Sequence, residues 1–123
     1  MKSVWQTAAV DWYNAVGANF YYYETSVNTL NTFYESSTSL FGRIHVNYSS
    51  YIVTYFEAML NTGNINVTQS DTVARSVANH ELGHALGLDD IYSGTAIMNV
   101  NRNRSTVYCP RTDDINGVSA IYG

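Results

Sequence analysis

The sequence predicts one α+β domain, in which a small β-sheet and three helices share a single hydrophobic core. Apolar residues recur at helical spacing near the N-terminus, alternate with polar residues in the middle, and return to helical spacing before a long irregular segment and a last helix. At 123 residues the chain is long enough for one core, so residues 1–123 are predicted to form a single domain. This order of elements indicates a sheet above a cleft and a mostly irregular subdomain below it.

The first predicted element is a helix that ends at Gly17. Ser3 stands in the capping position with Gln6 three residues later, which is the form of a capping box. The following residues give one apolar face at helical spacing: Val4, Trp5, Ala8, Ala9, Trp12, Tyr13 and Val16.

The strands are predicted between this helix and residue 64. Residues 19–25 are rich in aromatic side chains and indicate a strand, whereas residues 28–39 are rich in Asn, Ser and Thr and indicate a loop. Residues 42–48 alternate apolar and polar side chains, as a half-buried strand does. Residues 51–61 are extended, as one strand or two short ones, and residues 61–64 form a turn.

Two further helices are predicted. Ser70 or Asp71 caps the second, which runs to about Leu86. Residues 88–111 are irregular, and Thr112 caps the last helix. The side chains expected to pack the second helix on the sheet are Val73, Val77 and Ala78.

The end of the second helix carries residues suited to a catalytic zinc ion. His80 and His84 are four residues apart, so they leave the same helix face and can share one metal ion. Glu81 can take a proton from water on that metal. Gly87 can adopt the left-handed conformation that ends a helix and returns Asp90 as a third ligand. A fourth position left open for water is typical of a catalytic site.

Residues 80–90 resemble the metzincin signature of zinc endopeptidases, written here as H-E-x-x-H-x-x-G-x-x-D, whose last position is usually histidine. Ala96-Ile97-Met98-Asn99 resembles the Met-turn beneath the metzincin zinc, and residues 113–123 resemble the last helix of matrixin-like catalytic domains. The aspartate ligand is similar to that of the snapalysin group.

This resemblance implies a metzincin-like fold, with a small twisted mixed sheet, a first helix and an active-site zinc helix above a cleft. The lower subdomain would carry the Met-turn and the C-terminal helix. It implies a secreted zinc-dependent endopeptidase with one catalytic Zn²⁺, held by His80, His84 and Asp90, and with Glu81 as general base toward metal-activated water. The substrate would be a protein or peptide bound extended along an edge strand, for which residues 51–61 are the candidate.

The resemblance also bears on specificity. In similar enzymes the segment corresponding to residues 99–111 walls the pocket for the side chain just after the cleaved bond, so an apolar or aromatic side chain is expected there. An inward-facing arginine among Arg102, Arg104 and Arg111 would favour an acidic side chain instead. Tyr108 has two open roles, assistance at the oxyanion or packing.

Other interpretations remain open for single residues. Two histidines at this spacing also occur by chance on ordinary helices, and Met98 alone would be core filler. Asp89 and Asp90 could form a solvated pair, although Asp90 holds the eleventh position from His80, where the signature places its last ligand. The combination of all these residues argues against coincidence.

Composition excludes some function classes. A net charge of −4 with 13% charged residues and no cluster of basic residues argues against nucleic-acid binding. No apolar run is long enough to cross a bilayer, so no membrane partner is expected, and the protein is predicted to be a monomer. Cys109 is the sole cysteine and is either a reactive thiol or a packed side chain. His45 is expected on a strand surface rather than at a metal.

Two rival functions stand beside the endopeptidase. A zinc-dependent binding or adhesion module would keep the ligands without cleaving, but such a module needs no general base at Glu81. An exopeptidase or amidase acting on small substrates would keep the same chemistry. Internal cleavage of a long peptide separates it from an endopeptidase.

Overall fold

The computed structural model describes residues 1–20, 26–50 and 52–123. In those residues the elements follow the order α1 (Lys2–Val16), β1 (Thr29–Phe33), β2 (Gly42–Ser49), β3 (Ile52–Asn61), α2 (Ile65–Thr68), α3 (Asp71–Ala85) and α4 (Thr112–Tyr122). The predicted α+β class is confirmed, with a mixed sheet, helices α1 and α3 packed together, and an irregular segment between α3 and α4.

The first helix begins earlier than predicted. The N–H groups of Val4 and Trp5 both donate to the carbonyl of Met1, so Met1 is the cap and the predicted capping box at Ser3 is wrong. Met1 is partly buried against the core, so the chain is already packed where the first turn begins. Gly17 ends the helix as predicted, in the left-handed conformation with φ 74°.

The sheet contains a strand that the sequence did not predict. Its order is β1-β3-β2, with β1 parallel to β3 and β2 antiparallel to β3. β1 lies within the segment predicted as a loop, because pairing with β3 and packing of Leu30 against the core outweigh its asparagines. Asn28 itself supports the pairing, since its side chain accepts the Phe56 N–H at 3.0 Å.

β3 lies in the middle of the sheet, so the predicted edge role of residues 51–61 is wrong. Residues 52–61 form one strand, paired with β1 on one side and β2 on the other. β2 was predicted correctly as a half-buried strand over residues 42–48, and it forms one edge of the described sheet. The predicted strand over residues 19–25 falls largely outside the described residues, and Asn19 and Phe20 are not in a strand.

The central helix α3 has the predicted cap and packing. The Ser70 hydroxyl accepts the Val73 N–H at 3.2 Å, which satisfies one of the free donors of the first turn. The three side chains predicted to face the sheet are buried in the core: Val73, Val77 and Ala78. Leu60 of β3 and Leu82 of α3 belong to the same core.

Polar contacts tie α1 to α3. The Arg75 guanidinium donates two hydrogen bonds of 2.7 Å to the Asp11 carboxylate, which raises the pKa of Arg75. Asn79 donates its side-chain amide to the same carboxylate at 2.8 Å, and Trp12 donates its indole N–H to the Asn79 carbonyl at 3.0 Å. These contacts with the first helix therefore fix the rotation of α3 about its own axis.

The segment between α3 and α4 is irregular, as predicted, and an acidic side chain of α4 organises it. The Asp114 carboxylate accepts the N–H of Ile97 at 2.7 Å, of Met98 at 3.2 Å and of Arg111 at 2.8 Å. Arg111 is consequently the cap of α4, and Thr112 is its first helical residue rather than the predicted cap. No helix in the described residues is long and apolar enough to cross a membrane.

Gly83→Ala tests how closely α3 packs on the segment below it. A Cβ at Gly83 would overlap Sδ of the buried Met98 and stand 3.3 Å from Trp12. We expect the free energy of unfolding to fall by about 1–2 kcal/mol, because overpacking outweighs the helix propensity of alanine. Gly117→Ala is the control, because there the only close atom is the end of the Leu88 side chain, and no loss is expected. Urea denaturation of both variants measures this, and unchanged stability of Gly83→Ala would contradict the packing described.

Candidate metal centre

Two imidazoles and one carboxylate converge at the C-terminal end of α3. Nε2 of His80 and Nε2 of His84 each lie 3.0 Å from Oδ1 of Asp90. Among the described residues, these three form the group of His, Cys, Asp and Glu side chains that could hold a metal ion. Asp89 is exposed and lies outside the group.

Backbone carbonyls fix both imidazole rings. Nδ1 of His80 lies 2.9 Å from the Ile97 carbonyl, and Nδ1 of His84 lies 2.8 Å from the Leu88 carbonyl. Because a carbonyl oxygen only accepts, each Nδ1 carries the proton and donates. In each ring the other nitrogen, Nε2, then faces Asp90, which is the arrangement of metal-ligating histidines.

This donor set fits a cation. Burial and the nearby Arg102 charge hold the pKa of His80 well below its ordinary value, so its ring is neutral at pH 7. The three potential ligand atoms lie close enough together to hold one cation. Two imidazole nitrogens and a carboxylate oxygen suit Zn²⁺, whose tetrahedral ligands stand about 3.4 Å apart, so only small movements would be needed.

The turn after α3 delivers Asp90. Gly87 has φ 101°, a conformation that a side chain would disfavour, and the next residue, Leu88, donates its N–H back to the Gly83 carbonyl at 3.0 Å. Beyond Asp90, Ile91 donates to the Met98 carbonyl and accepts from the Val100 N–H, each at 3.0 Å. Asp90 is therefore held between a helix end and the turn that contains Met98.

Met98 packs against α3 between the two histidines in sequence. Its side chain is 2% exposed and contacts Gly83, which follows His80 by three residues and directly precedes His84. Ile97, the residue before it, is the acceptor for His80. The turn thus supports the metal-ligand candidates in two ways, by packing and by a hydrogen bond.

Glu81 lies beside this group and is buried, with 6% of its surface exposed. Burial raises its pKa to about 8, the Asp90 charge adds to the effect, and the Arg102 and Arg104 charges oppose it. A bound cation would lower this pKa again by favouring the carboxylate. Its Oε1 stands close to Gly42, where a Cβ would lie 3.4 Å away.

A cavity of about 300 Å³ opens over these residues. The ligand candidates and Glu81 form one side, and the start of β2 forms another through Phe41, Gly42 and Ile44. A third wall comes from the segment after Met98, through Val100, Arg102 and Arg104. Gly42 allows β2 to approach α3, because a Cβ there would stand 2.8 Å from Val77.

The third wall of the cavity shows which of the three arginines considered in the sequence analysis face inward. Arg102 is 6% exposed and donates to the Ser76 hydroxyl at 2.9 Å and to the carbonyls of Ser76 and Asn99 at 3.1 Å. Burial, followed by repulsion from Arg104, lowers the pKa of Arg102 to about 10. The Arg104 guanidinium lies 4.0 Å from the centre of the Phe41 ring. Both arginines face the cavity, whereas Arg111 is exposed elsewhere.

Other candidates lie away from the cavity. Tyr108 has its ring 4.9 Å from the Arg75 guanidinium, and its carbonyl accepts from Asn79 at 2.8 Å, which is a packing role. Cys109 is half-buried. His45 lies on the exposed face of β2 with its ring 6.0 Å from that of Tyr55, outside the metal-ligand candidates.

Sequence reasoning missed two residues of this site. Asp114 fixes the turn below His80, but an acidic residue in the first turn of a helix is ordinarily explained by the helix dipole. Gly42 had been noted only as the start of a strand, and a glycine beginning an otherwise β-branched and aromatic strand was the available signal of close approach.

Comparison with protein families agrees with the geometry. The family model of the matrixins matches residues 5–123, which is nearly the whole chain. A search of curated proteins gave no significant match. Matrixins are typically extracellular, and their substrates are proteins or peptides. The chain belongs to the matrixin family of zinc-dependent metallopeptidases.

Proposed function

We propose that this chain is a secreted, monomeric zinc endopeptidase and that residues 1–123 form a minimal catalytic domain. His80, His84 and Asp90 hold one Zn²⁺, and Glu81 is the general base. The observation that carries the proposal is the meeting of two Nε2 atoms at one carboxylate oxygen, each at 3.0 Å, with both Nδ1 protons engaged by carbonyls.

A zinc ion held by these three residues would supply Lewis acidity toward the scissile carbonyl and the attacking water. The chain's own residues supply the proton transfers. Glu81 Oε1 accepts the proton of the water and then delivers it to the leaving amine. Its burial beside the ligand candidates supports this role, and a bound cation would lower its pKa from about 8 toward a value at which the carboxylate can accept a proton.

The substrate lies extended along β2, which replaces residues 51–61 as the edge strand of the proposal. The start of β2 forms one side of the cavity, and within the described residues β2 pairs with β3 alone. A peptide added to that edge would gain backbone hydrogen bonds and pass directly by Glu81, next to Gly42.

The burial of Glu81 argues against a binding or adhesion module. Placing a carboxylate in a buried site costs free energy, and a module that only binds metal gains nothing from it. An exopeptidase or amidase shares the same centre, and it is separated from an endopeptidase by internal cleavage of a long peptide, read by mass spectrometry.

Glu81→Gln tests the proton transfer. The amide cannot accept the proton, so kcat/KM on unfolded casein is expected to fall by at least about 100-fold while zinc content and fold stay as in the wild type. Phenanthroline is expected to abolish the wild-type activity. Full activity in Glu81→Gln would rule out Glu81 as the base.

Asp90→Ala and Asp89→Ala form a matched pair that tests the third ligand. Asp90→Ala is expected to lose zinc during dialysis against a weak chelator, since two histidines alone hold zinc poorly. Asp89→Ala is expected to keep about one zinc per chain, and Asp90→His is expected to retain zinc with a changed rate. Zinc stoichiometry measures all three. Loss in Asp89→Ala with retention in Asp90→Ala would show that the assignment is in the wrong register.

A further inference from the structure

Two guanidinium groups line the cavity without an acidic partner. In the described part of the chain, Arg75 forms a salt bridge with Asp11, whereas neither Arg102 nor Arg104 has a carboxylate within salt-bridge distance. Buried charges are ordinarily paired, because an uncompensated charge is costly to desolvate. Glu81 acts on both arginines at longer range, but neither has a carboxylate of the described residues in direct contact, so an anionic group of a ligand could form the salt bridge that they lack.

Both groups have donors to spare. The hydrogen bonds of Arg102 use Nε–H and one N–H on each terminal nitrogen, which leaves two of its five N–H groups. The Arg102 terminal nitrogen 3.4 Å from Nδ1 of His80 faces another donor there and gains no acceptor. Nε of Arg104 is buried and has no hydrogen-bond partner among the residues that the structure describes.

The charge balance of the cavity favours an anion. Its two carboxylates, Glu81 and Asp90, together balance the two positive charges of the proposed zinc ion. Three arginines remain in its lining, namely Arg43, Arg102 and Arg104. A cleft lined by charges of one sign concentrates ligands of the opposite sign.

The direction of β2 indicates which side of the substrate meets these arginines. Antiparallel pairing is slightly more stable than parallel pairing, so we take the added strand as antiparallel to β2. Such a peptide passes Ile44 first, then Gly42 beside Glu81, and then Phe41. Arg104 lies over the Phe41 ring, so it stands on the side that follows the cleaved bond.

We propose, resting on the peptidase function above, that Arg102 and Arg104 select substrates with Asp or Glu immediately after the cleaved bond. This acidic preference replaces the apolar one expected from the sequence. Arg104, whose guanidinium lies over the Phe41 ring, contacts the acidic side chain, and the buried Arg102 adds positive charge to the same wall of the cavity. Phe41 and Val100, which also line the cavity, provide apolar surface against which the methylene groups of a Glu side chain can pack.

The same carboxylate chemistry has two sources in a peptide, an acidic side chain or the C-terminal carboxylate. The test uses peptides of one sequence that carry Glu, Gln or Leu after the cleaved bond, all with amidated C-termini. In a further peptide, the Gln that follows the cleaved bond is the last residue and carries a free C-terminal carboxylate. With zinc-loaded wild type, kcat/KM for the Glu peptide is expected to exceed that for the Gln peptide by about tenfold or more.

Variants of Arg104 assign the preference. Arg104→Gln is expected to reduce the Glu-to-Gln ratio by about tenfold, and Arg104→Glu to favour a Lys peptide instead. Arg104→Lys, which keeps the charge, is expected to retain part of the ratio. Arg111→Gln is the control, because it removes the same charge from an exposed site and should leave the ratio unchanged. An unchanged ratio in Arg104→Gln would overturn the assignment to this residue.

The buried hydrogen bonds of Arg102 make its variants a risk to folding, so the Arg104 series carries the test. Equal cleavage of the Glu and Gln peptides, or preference for Leu, would overturn the inference and leave the peptidase function intact. If only the peptide with the free C-terminal carboxylate were preferred, the inference that the arginines recognise an acidic side chain would be wrong.

Failure of the peptidase function has a different signature. If zinc-loaded wild type cleaved no peptide, fluorescence anisotropy on zinc-loaded Glu81→Gln would still compare binding of the Glu and Gln peptides. Binding of the Glu peptide at least about tenfold tighter would support the acidic subsite. Equal binding would overturn it.

Discussion

The candidate site depends on two backbone carbonyls that hold two imidazole rings. Because Ile97 and Leu88 accept from the Nδ1 atoms of His80 and His84, both Nε2 atoms face the same oxygen of Asp90. Helix geometry alone brings the two rings to the same face of α3, but it does not set their rotation. The rotation of the rings is set by the acceptors Ile97 and Leu88, which lie in the segment after the helix. The backbone of this irregular segment must therefore be held in place.

That rigidity comes from a few side chains that bind backbone rather than from regular structure. The buried carboxylate of Asp114 fixes the turn that carries the Ile97 carbonyl, and the positive φ of Gly87 fixes the start of the other segment. The Ile91 pairing joins the two segments just beyond Asp90. The rotation of α3 is fixed by the first helix, because Arg75 and Asn79 of α3 both donate to the Asp11 carboxylate. The first helix, α4 and the irregular segment therefore all bear on the position of the three ligand atoms of α3 and Asp90.

The sequence predicted what is local and missed what depends on pairing in space. The helix spacing of His80 and His84 and the turn at Gly87 follow from backbone geometry within one element, so they were readable from the chain. The place of β1 and the central position of β3 were not, because strand order is set by partners distant in sequence. Likewise, nothing local to Arg102 says that it turns inward, since its acceptors belong mainly to Ser76 on another element.

A crystal structure of the zinc-loaded protein, with anomalous scattering measured at the zinc edge, tests the central claim most directly. The account predicts one strong peak within about 2.0–2.2 Å of His80 Nε2, His84 Nε2 and Asp90 Oδ1. It also predicts that both Nδ1 atoms keep their hydrogen bonds to Ile97 and Leu88. A peak bound elsewhere, or a site in which Asp90 turns away from the two histidines, would contradict it.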